Sequence, residues 1–137
     1  MEAFVLDVSS CMPWCCEDET TPASEEMLGW AINGSALHVP SLWTWEILNA
    51  IGVAIRRRRI SADRAKEFIE QLATLNFKID GPPQIVDFPR LHSLAAAHQL
   101  TAYDVAYLEL AERLSLPLAT RDGDLMRAAS AEGVQIL

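Results

Sequence analysis

The chain has 137 residues, half of them hydrophobic, with 19 acidic against 11 basic side chains and a formal net charge of −8. Length and composition fit one globular domain, residues 1–137, able to bury about two-thirds of its unfolded surface without cross-links, and they exclude a disordered or repeat protein. The negative balance argues against a protein living by non-specific attraction to nucleic-acid phosphate, though less against an acidic pocket that meets phosphate through a bound divalent ion.

The run AFVLD, residues 3–7, reads as a short buried strand, and a small helix follows through PWCCEDE, residues 13–19. A second helix is predicted to begin near Ser24, where Glu25 and Glu26 suit a helix N-terminus, and Asn33-Gly34 stops it. ALHV, residues 36–39, is a second strand. Pro40-Ser41 then opens a long helix to about Arg57, with Thr44, Ile47, Leu48, Ile51 and Ile55 at helical spacing on one face. Ser61 caps the next helix, and NFKID, residues 76–80, is a third strand bounded by Gly81-Pro82-Pro83. Residues 84–100 look helical, with Pro89 kinking the segment or dividing it in two, and Thr101 starts a helix to residue 114. SLPLAT is a fourth strand, DLMRAASAE a last helix, and VQIL a closing strand after Gly133. Strands alternating with helices give an α/β fold of three layers, α/β/α, around a mainly parallel sheet of four or five strands.

The least charged stretch, residues 38–55, is interrupted by Glu46 and contains Pro40, Asn49 and Gly52, so it falls short of a bilayer span. The chain opens Met-Glu and its first apolar run stops at Asp7, so no signal peptide and a cytoplasmic location are expected. Cys11, Cys15 and Cys16 crowd into one short segment. Neighbouring Cys15 and Cys16 would pair only under strain, and no distant Cys completes a zinc set, so all three read as buried thiols.

Four acids stand out because each sits beside or within an apolar segment: Asp7 after the first strand, Glu46 in the long helix, Asp104 in LTAYDVAYL and Asp122 after LPLATR. Open parallel sheets bind ligands beyond the carboxyl ends of their strands, where Asp7 and Asp122 fall. Each acid has an alternative structural reading. Thr101-x-x-Asp104 matches a capping box, Asp122-Gly123-Asp124 a turn with a helix cap, Asp7 a plain strand end, and Glu46 a helix-flank carboxylate reaching to water. Carboxylates gathered without cations would repel one another. The only lysines are Lys66 and Lys78, outside all four motifs, so a hard cation such as Mg²⁺ or Mn²⁺ is the natural counter-charge.

Taken together, VLDVSSCMPWCCEDE, VPSLWTWEILNAI and LTAYDVAYLELAERLSLPLATRDGDL resemble, in order and spacing over nearly the whole chain, the PIN domain, and specifically the VapC ribonuclease toxins of bacterial toxin–antitoxin pairs. The resemblance implies a metal-dependent endoribonuclease acting on RNA, with Asp7, Glu46, Asp104 and Asp122 catalytic and Asp7, Asp104 and Asp122 holding Mg²⁺ or Mn²⁺. It implies support of the site by Ser9 and Thr120, with Asp124 an additional acid or only a helix-start residue. It further implies a homodimer and a cognate antitoxin whose C-terminal segment wraps the toxin and carries an Arg into the acidic pocket. The basic run Arg56, Arg57, Arg58 and Arg59 is either a solvated helix C-terminus or an RNA-backbone contact, and Arg121 is a further candidate for touching phosphate. Two rival classes remain: a non-catalytic RNA or protein interaction module on the same fold, and a phospho-acceptor receiver domain, which lacks here its late-strand Lys.

Overall fold

A computed structural model describes residues 1–137. Four parallel strands, β1 (Ala3–Leu6), β2 (Ala36–Pro40), β3 (Phe77–Asp80) and β4 (Leu118–Ala119), lie in the order β3-β2-β1-β4. Val5 faces His38 on one side and Leu118 on the other. Phe4, Val5 and Leu6 are fully buried, as a central parallel strand covered on both faces requires. Seven helices, α1 (Val8–Cys11), α2 (Pro22–Ile32), α3 (Leu42–Arg56), α4 (Ala62–Leu72), α5 (Phe88–His98), α6 (Ala102–Leu114) and α7 (Gly123–Ala131), complete the three-layer α/β/α arrangement. No helix is long and apolar enough to cross a membrane.

Several expected details are corrected. The region 13–19 is two 3₁₀ turns, Met12–Trp14 and Glu17–Glu19, preceded by α1. Helix α2 starts at Pro22 rather than near Ser24, because Thr21 caps it and Ser24 returns the hydrogen bond from N3 to the Thr21 backbone. Of the two readings offered for Pro89 the division holds and the kink does not: a 3₁₀ turn, Ile85–Asp87, precedes α5, and Pro89 lies in the first turn of α5, where its missing N–H has no helical partner to lose. The VQIL strand reduces to one bridge, Leu118 to Ile136, leaving a four-stranded sheet.

The buried stripe of α3 is Trp43, Ile47, Ile51 and Ala54; Leu48 and Ile55 of the expected face are exposed. Trp43 packs on Phe77 with ring centroids 4.7 Å apart, and Trp30 meets Phe4 edge-on at 6.1 Å. Trp45, at 77 % exposure, is left outside the core.

Candidate functional site

The backbone N–H of Asp7 donates to Ala119 O at 2.9 Å, extending the β1–β4 ladder by one step and fixing this carboxylate at the carboxyl edge of the sheet. Asp7 is 9 % exposed. Its Oδ2 accepts from Ser9 Oγ at 2.6 Å and from Thr120 Oγ1 at 2.7 Å. Ser9 Oγ in turn accepts from the Arg121 N–H at 2.8 Å, and Thr120 Oγ1 from the Asp122 N–H at 3.1 Å. A buried carboxylate needs such hydrogen-bond partners. The segment after β1 is thereby tied to the segment after β4.

Asp122 is the N-cap of α7, its Oδ1 accepting from the Leu125 N–H at 2.9 Å. One oxygen makes the cap and the other stays available. Asp104 occupies the first turn of α6, where Thr101 is the cap and accepts the Asp104 N–H at 3.2 Å. The cap reading is thus realised at Asp122, whereas at Asp104 only the Thr101 half of the expected capping box forms, and neither position uses up the carboxylate.

Glu46, half-buried on α3, accepts a hydrogen bond at Oε1 from the Tyr107 hydroxyl at 2.5 Å. Burial pushes the Glu46 carboxyl above its usual range; the Tyr107 hydrogen bond opposes this, and the negative charges of Asp7 and Asp104 reinforce it. Asp104 is also raised, first by burial and then by Asp122, Asp7 and, more weakly, Asp124. These mutual repulsions bring Asp7, Glu46, Asp104 and Asp122 to one field, with Asp124 exposed at its margin and paired with Arg127 at 3.5 Å. None of the four central acids makes an ion pair, although the chain forms ion pairs elsewhere.

The donors of this cluster are all carboxylate oxygens, the chemistry a hard divalent cation takes. No three of the four acids bring oxygens within 4.8 Å of one another; the one trio that close is Cys16, Asp18 and Glu19. That looser spacing suits Mg²⁺, which retains several waters and is commonly held by one or two direct carboxylates.

Tyr107, buried one turn along α6 from Asp104, is a site residue that the sequence reading passed over. Replacing it by Phe removes the donor that favours ionised Glu46, so the Glu46 carboxyl rises further. Any activity that requires Glu46 ionised is then expected to have its acidic limb displaced to higher pH, with little change on the alkaline side. A pH–rate profile of Tyr107→Phe whose acidic limb coincides with that of the wild type would rule this role out.

The arginines divide. Arg59 Nη2 pairs with Glu19 at 2.7 Å and Asp18 at 3.1 Å, and Arg121 Nη1 pairs with Glu19 at 3.1 Å. With Ser9, Asn49 and Val53 they line a cavity of about 460 Å³. Arg56, Arg57 and Arg58 are exposed, make no ion pair and do not line it. A larger cavity of about 720 Å³, between the ends of β2 and β3 and helices α5 and α6, contains none of the four acids. Its buried Glu109 is held low despite desolvation, by Arg113 and Arg90. Of that cavity's charged side chains, Asp80, Arg90, Glu109 and Arg113 are paired with one another.

The PIN domain family matches residues 4–131. Ribonuclease VapC12 of Mycobacterium tuberculosis is 30% identical over 125 residues, 91% of each chain. Among solved structures, PAE2754 from Pyrobaculum aerophilum superposes with a TM-score of 0.72 at 21% identity, covering 98% of this chain and 83% of that one. VapBC2 from Rickettsia felis, solved bound to a DNA fragment from its promoter, superposes with a TM-score of 0.66 at 9% identity over 98% of this chain and 97% of that one.

Proposed function

The chain belongs to the PIN domain family, and from that membership we propose that it is a metal-dependent endoribonuclease, the toxin of a VapC-type toxin–antitoxin pair. The observation that carries the proposal is the convergence of Asp7, Glu46, Asp104 and Asp122, unpaired and mutually repelling, at the carboxyl edge of a parallel sheet. A non-catalytic module has no use for such a cluster, because every uncompensated charge in it works against folding.

Asp7, Asp104 and Asp122 would hold Mg²⁺ or Mn²⁺, which when bound supplies Lewis acidity toward a phosphodiester oxygen and lowers the pKa of the attacking water. Ser9 and Thr120 orient Asp7 by donating to its Oδ2. Glu46, fixed through Oε1 by Tyr107, keeps Oε2 free to order that water and take up its proton. The family's activity implies RNA cleaved to leave a 5′ phosphate.

Arg59 and Arg121 are the arginines we assign to the RNA backbone, since they line the cavity that also contains Ser9, the donor to Asp7. Changing both to Gln is expected to weaken RNA binding and to reduce the slope of its dependence on salt, whereas the same change at Arg56 and Arg57 leaves both nearly unaltered. Equal effects of the two double variants, read by fluorescence anisotropy over a salt series, would return the contact to the whole basic run.

An antitoxin partner is supported by the VapC relative and by the likeness to VapBC2. Homodimerisation is supported by Trp45, Leu48 and Tyr103, large apolar side chains more than half exposed and each within two residues of a site acid. We place the protein in the cytoplasm, where its RNA substrate is found.

The test is digestion of total cellular RNA by the purified, antitoxin-free protein with Mg²⁺ or Mn²⁺ against chelator. Discrete metal-dependent cuts are expected. A folded protein that neither cuts nor binds Mn²⁺ would favour the interaction module.

A further inference from the structure

The acids of the turn Glu17–Glu19 lie outside the carboxylate cluster, yet one of them stands in the 460 Å³ cavity that Ser9 shares with it. Glu19 lines that cavity together with Arg59, Arg121 and Asn49. Its two oxygens go to different guanidinium groups: Oε2 accepts from Arg59 Nη2 at 2.7 Å and Oε1 from Arg121 Nη1 at 3.1 Å. A phosphodiester also spreads one negative charge over two oxygens, so a pair of arginines that holds a carboxylate in this way matches it equally well.

The position of Arg59 is set by the end of α3. The Arg59 N–H donates to Ala54 O and the Arg58 N–H to Ile55 O, with Arg58 in the left-handed region at φ 57°, which is a Schellman turn. Glycine is the usual occupant of that left-handed position, because a Cβ disfavours it. The turn folds Arg59 back over α3, whose Asn49, Ala50, Val53 and Ala54 line the cavity, while Arg56, Arg57 and Arg58 stay outside. Arg121 is fixed from the other side by its own N–H on Ser9 Oγ, the hydroxyl that donates to Asp7. One side chain therefore separates the arginine pair from the carboxylate cluster.

The Glu19, Arg59 and Arg121 side chains are 26%, 35% and 47% exposed, and ion pairs this open to solvent contribute little to stability. Glu19 sits on a 3₁₀ turn with no buried residue, so its side chain can leave without disturbing the core. We propose that Glu19 is an internal stand-in for phosphate: Arg59, Arg121 and Asn49 form a subsite for a phosphodiester flanking the one at the carboxylate cluster, and RNA enters it by displacing Glu19. This rests on the reading of the chain as acting on RNA. A strand held at other points makes the exchange intramolecular, whereas a free small anion must compete unaided with a tethered carboxylate. Glu19 in this way lowers affinity for isolated phosphate more than for a polynucleotide.

The test is binding of fluorescent single-stranded RNA, read by anisotropy over a salt series, with chelator present so that nothing is cut. Wild type is compared with Glu19→Gln and with Glu17→Gln, which removes the same charge from the same turn at an exposed side chain that pairs with neither arginine. Glu19→Gln is expected to bind several-fold more tightly, with a salt slope steeper by up to about 0.7, the contribution of one single-strand phosphate. Glu17→Gln should stay near wild type, and adding Arg59→Gln and Arg121→Gln to Glu19→Gln should erase the gain. Equal effects of the two glutamate variants, weaker binding by Glu19→Gln, a gain that survives loss of both arginines, or no RNA binding by any of the proteins overturns the proposal. Metal-dependent cleavage by the wild type, assayed separately, reports on the nuclease reading, so the two can fail independently.

Discussion

Asp7→Asn is expected to lower RNA cleavage about 1,000-fold, roughly 4 kcal/mol of barrier, while the thermal midpoint of the metal-free protein stays level or rises. Asn preserves the shape of the side chain, and its amide oxygen still accepts from Ser9 or Thr120, so the link between the segments after β1 and β4 persists. What disappears is one negative charge from a cluster in which Asp7 raises the carboxyls of both Glu46 and Asp104. Function and stability therefore move in opposite directions, as they do where a site is kept at a cost to the fold. A purely structural Asp7 predicts the reverse: a lower midpoint with cleavage reduced only in proportion to unfolded protein. Cleavage assays and calorimetry on the same preparation separate the two. Residual activity within tenfold of wild type would remove Asp7 from the metal site.

Mg²⁺ or Mn²⁺ at about 100 times its dissociation constant is expected to raise the thermal midpoint at neutral pH by on the order of 10 °C, since such saturation adds about 2.7 kcal/mol. The gain should shrink as pH falls. Glu46 and Asp104 titrate above their unfolded values, so between those values and the raised native ones the native state holds more protons than the unfolded chain. These two groups consequently contribute stability to the metal-free protein that is lost as pH rises through that window. A divalent ion competes with those same protons, so it stabilises most above the window and least below it. A midpoint that responds equally to metal at acidic and neutral pH would place the ion away from these carboxylates.

How far the sequence led depends on which signal each residue carried. Isolated acids in apolar segments were legible because an ionised carboxylate there demands an explanation, and Asp7, Glu46, Asp104 and Asp122 do share one field. Ser9 and Thr120 were legible only through family resemblance, since nothing local says that positions |i−j| = 111 apart will meet. Tyr107 was hidden by its own burial: a tyrosine on the inner face of an apolar helix reads as core, and only the 2.5 Å contact with Glu46 reveals its second task. Helix α3 was found and Ile47 and Ile51 of its expected face are buried, but apolar residues surround it almost completely, so that Leu48 and Ile55 satisfied the spacing as well as Trp43 and Ala54 did. The start of α2 was readable in Thr21-Pro22, a cap followed by proline at N1, had these been weighed above the acidic pair Glu25-Glu26. VQIL has strand composition, yet it lies alongside a β4 only two residues long, which offers room for one bridge.

The pairing of β1 with β4 also orders events in time. Asp7 and Thr120 are separated by 113 positions, and the hydrogen bond between them joins the end of β1 to a segment made much later. Contacts of such long sequence separation form late, because the entropy of closing the intervening loop must be met before they contribute. During synthesis β1, β2 and their helices emerge first, without the strand that positions Thr120, Arg121 and Asp122. A ribosome-bound chain therefore carries Asp7 without its second hydroxyl donor and without Asp122. The carboxylate cluster is therefore assembled only after residue 122 is free to fold, and every shorter stretch of nascent chain carries it unfinished.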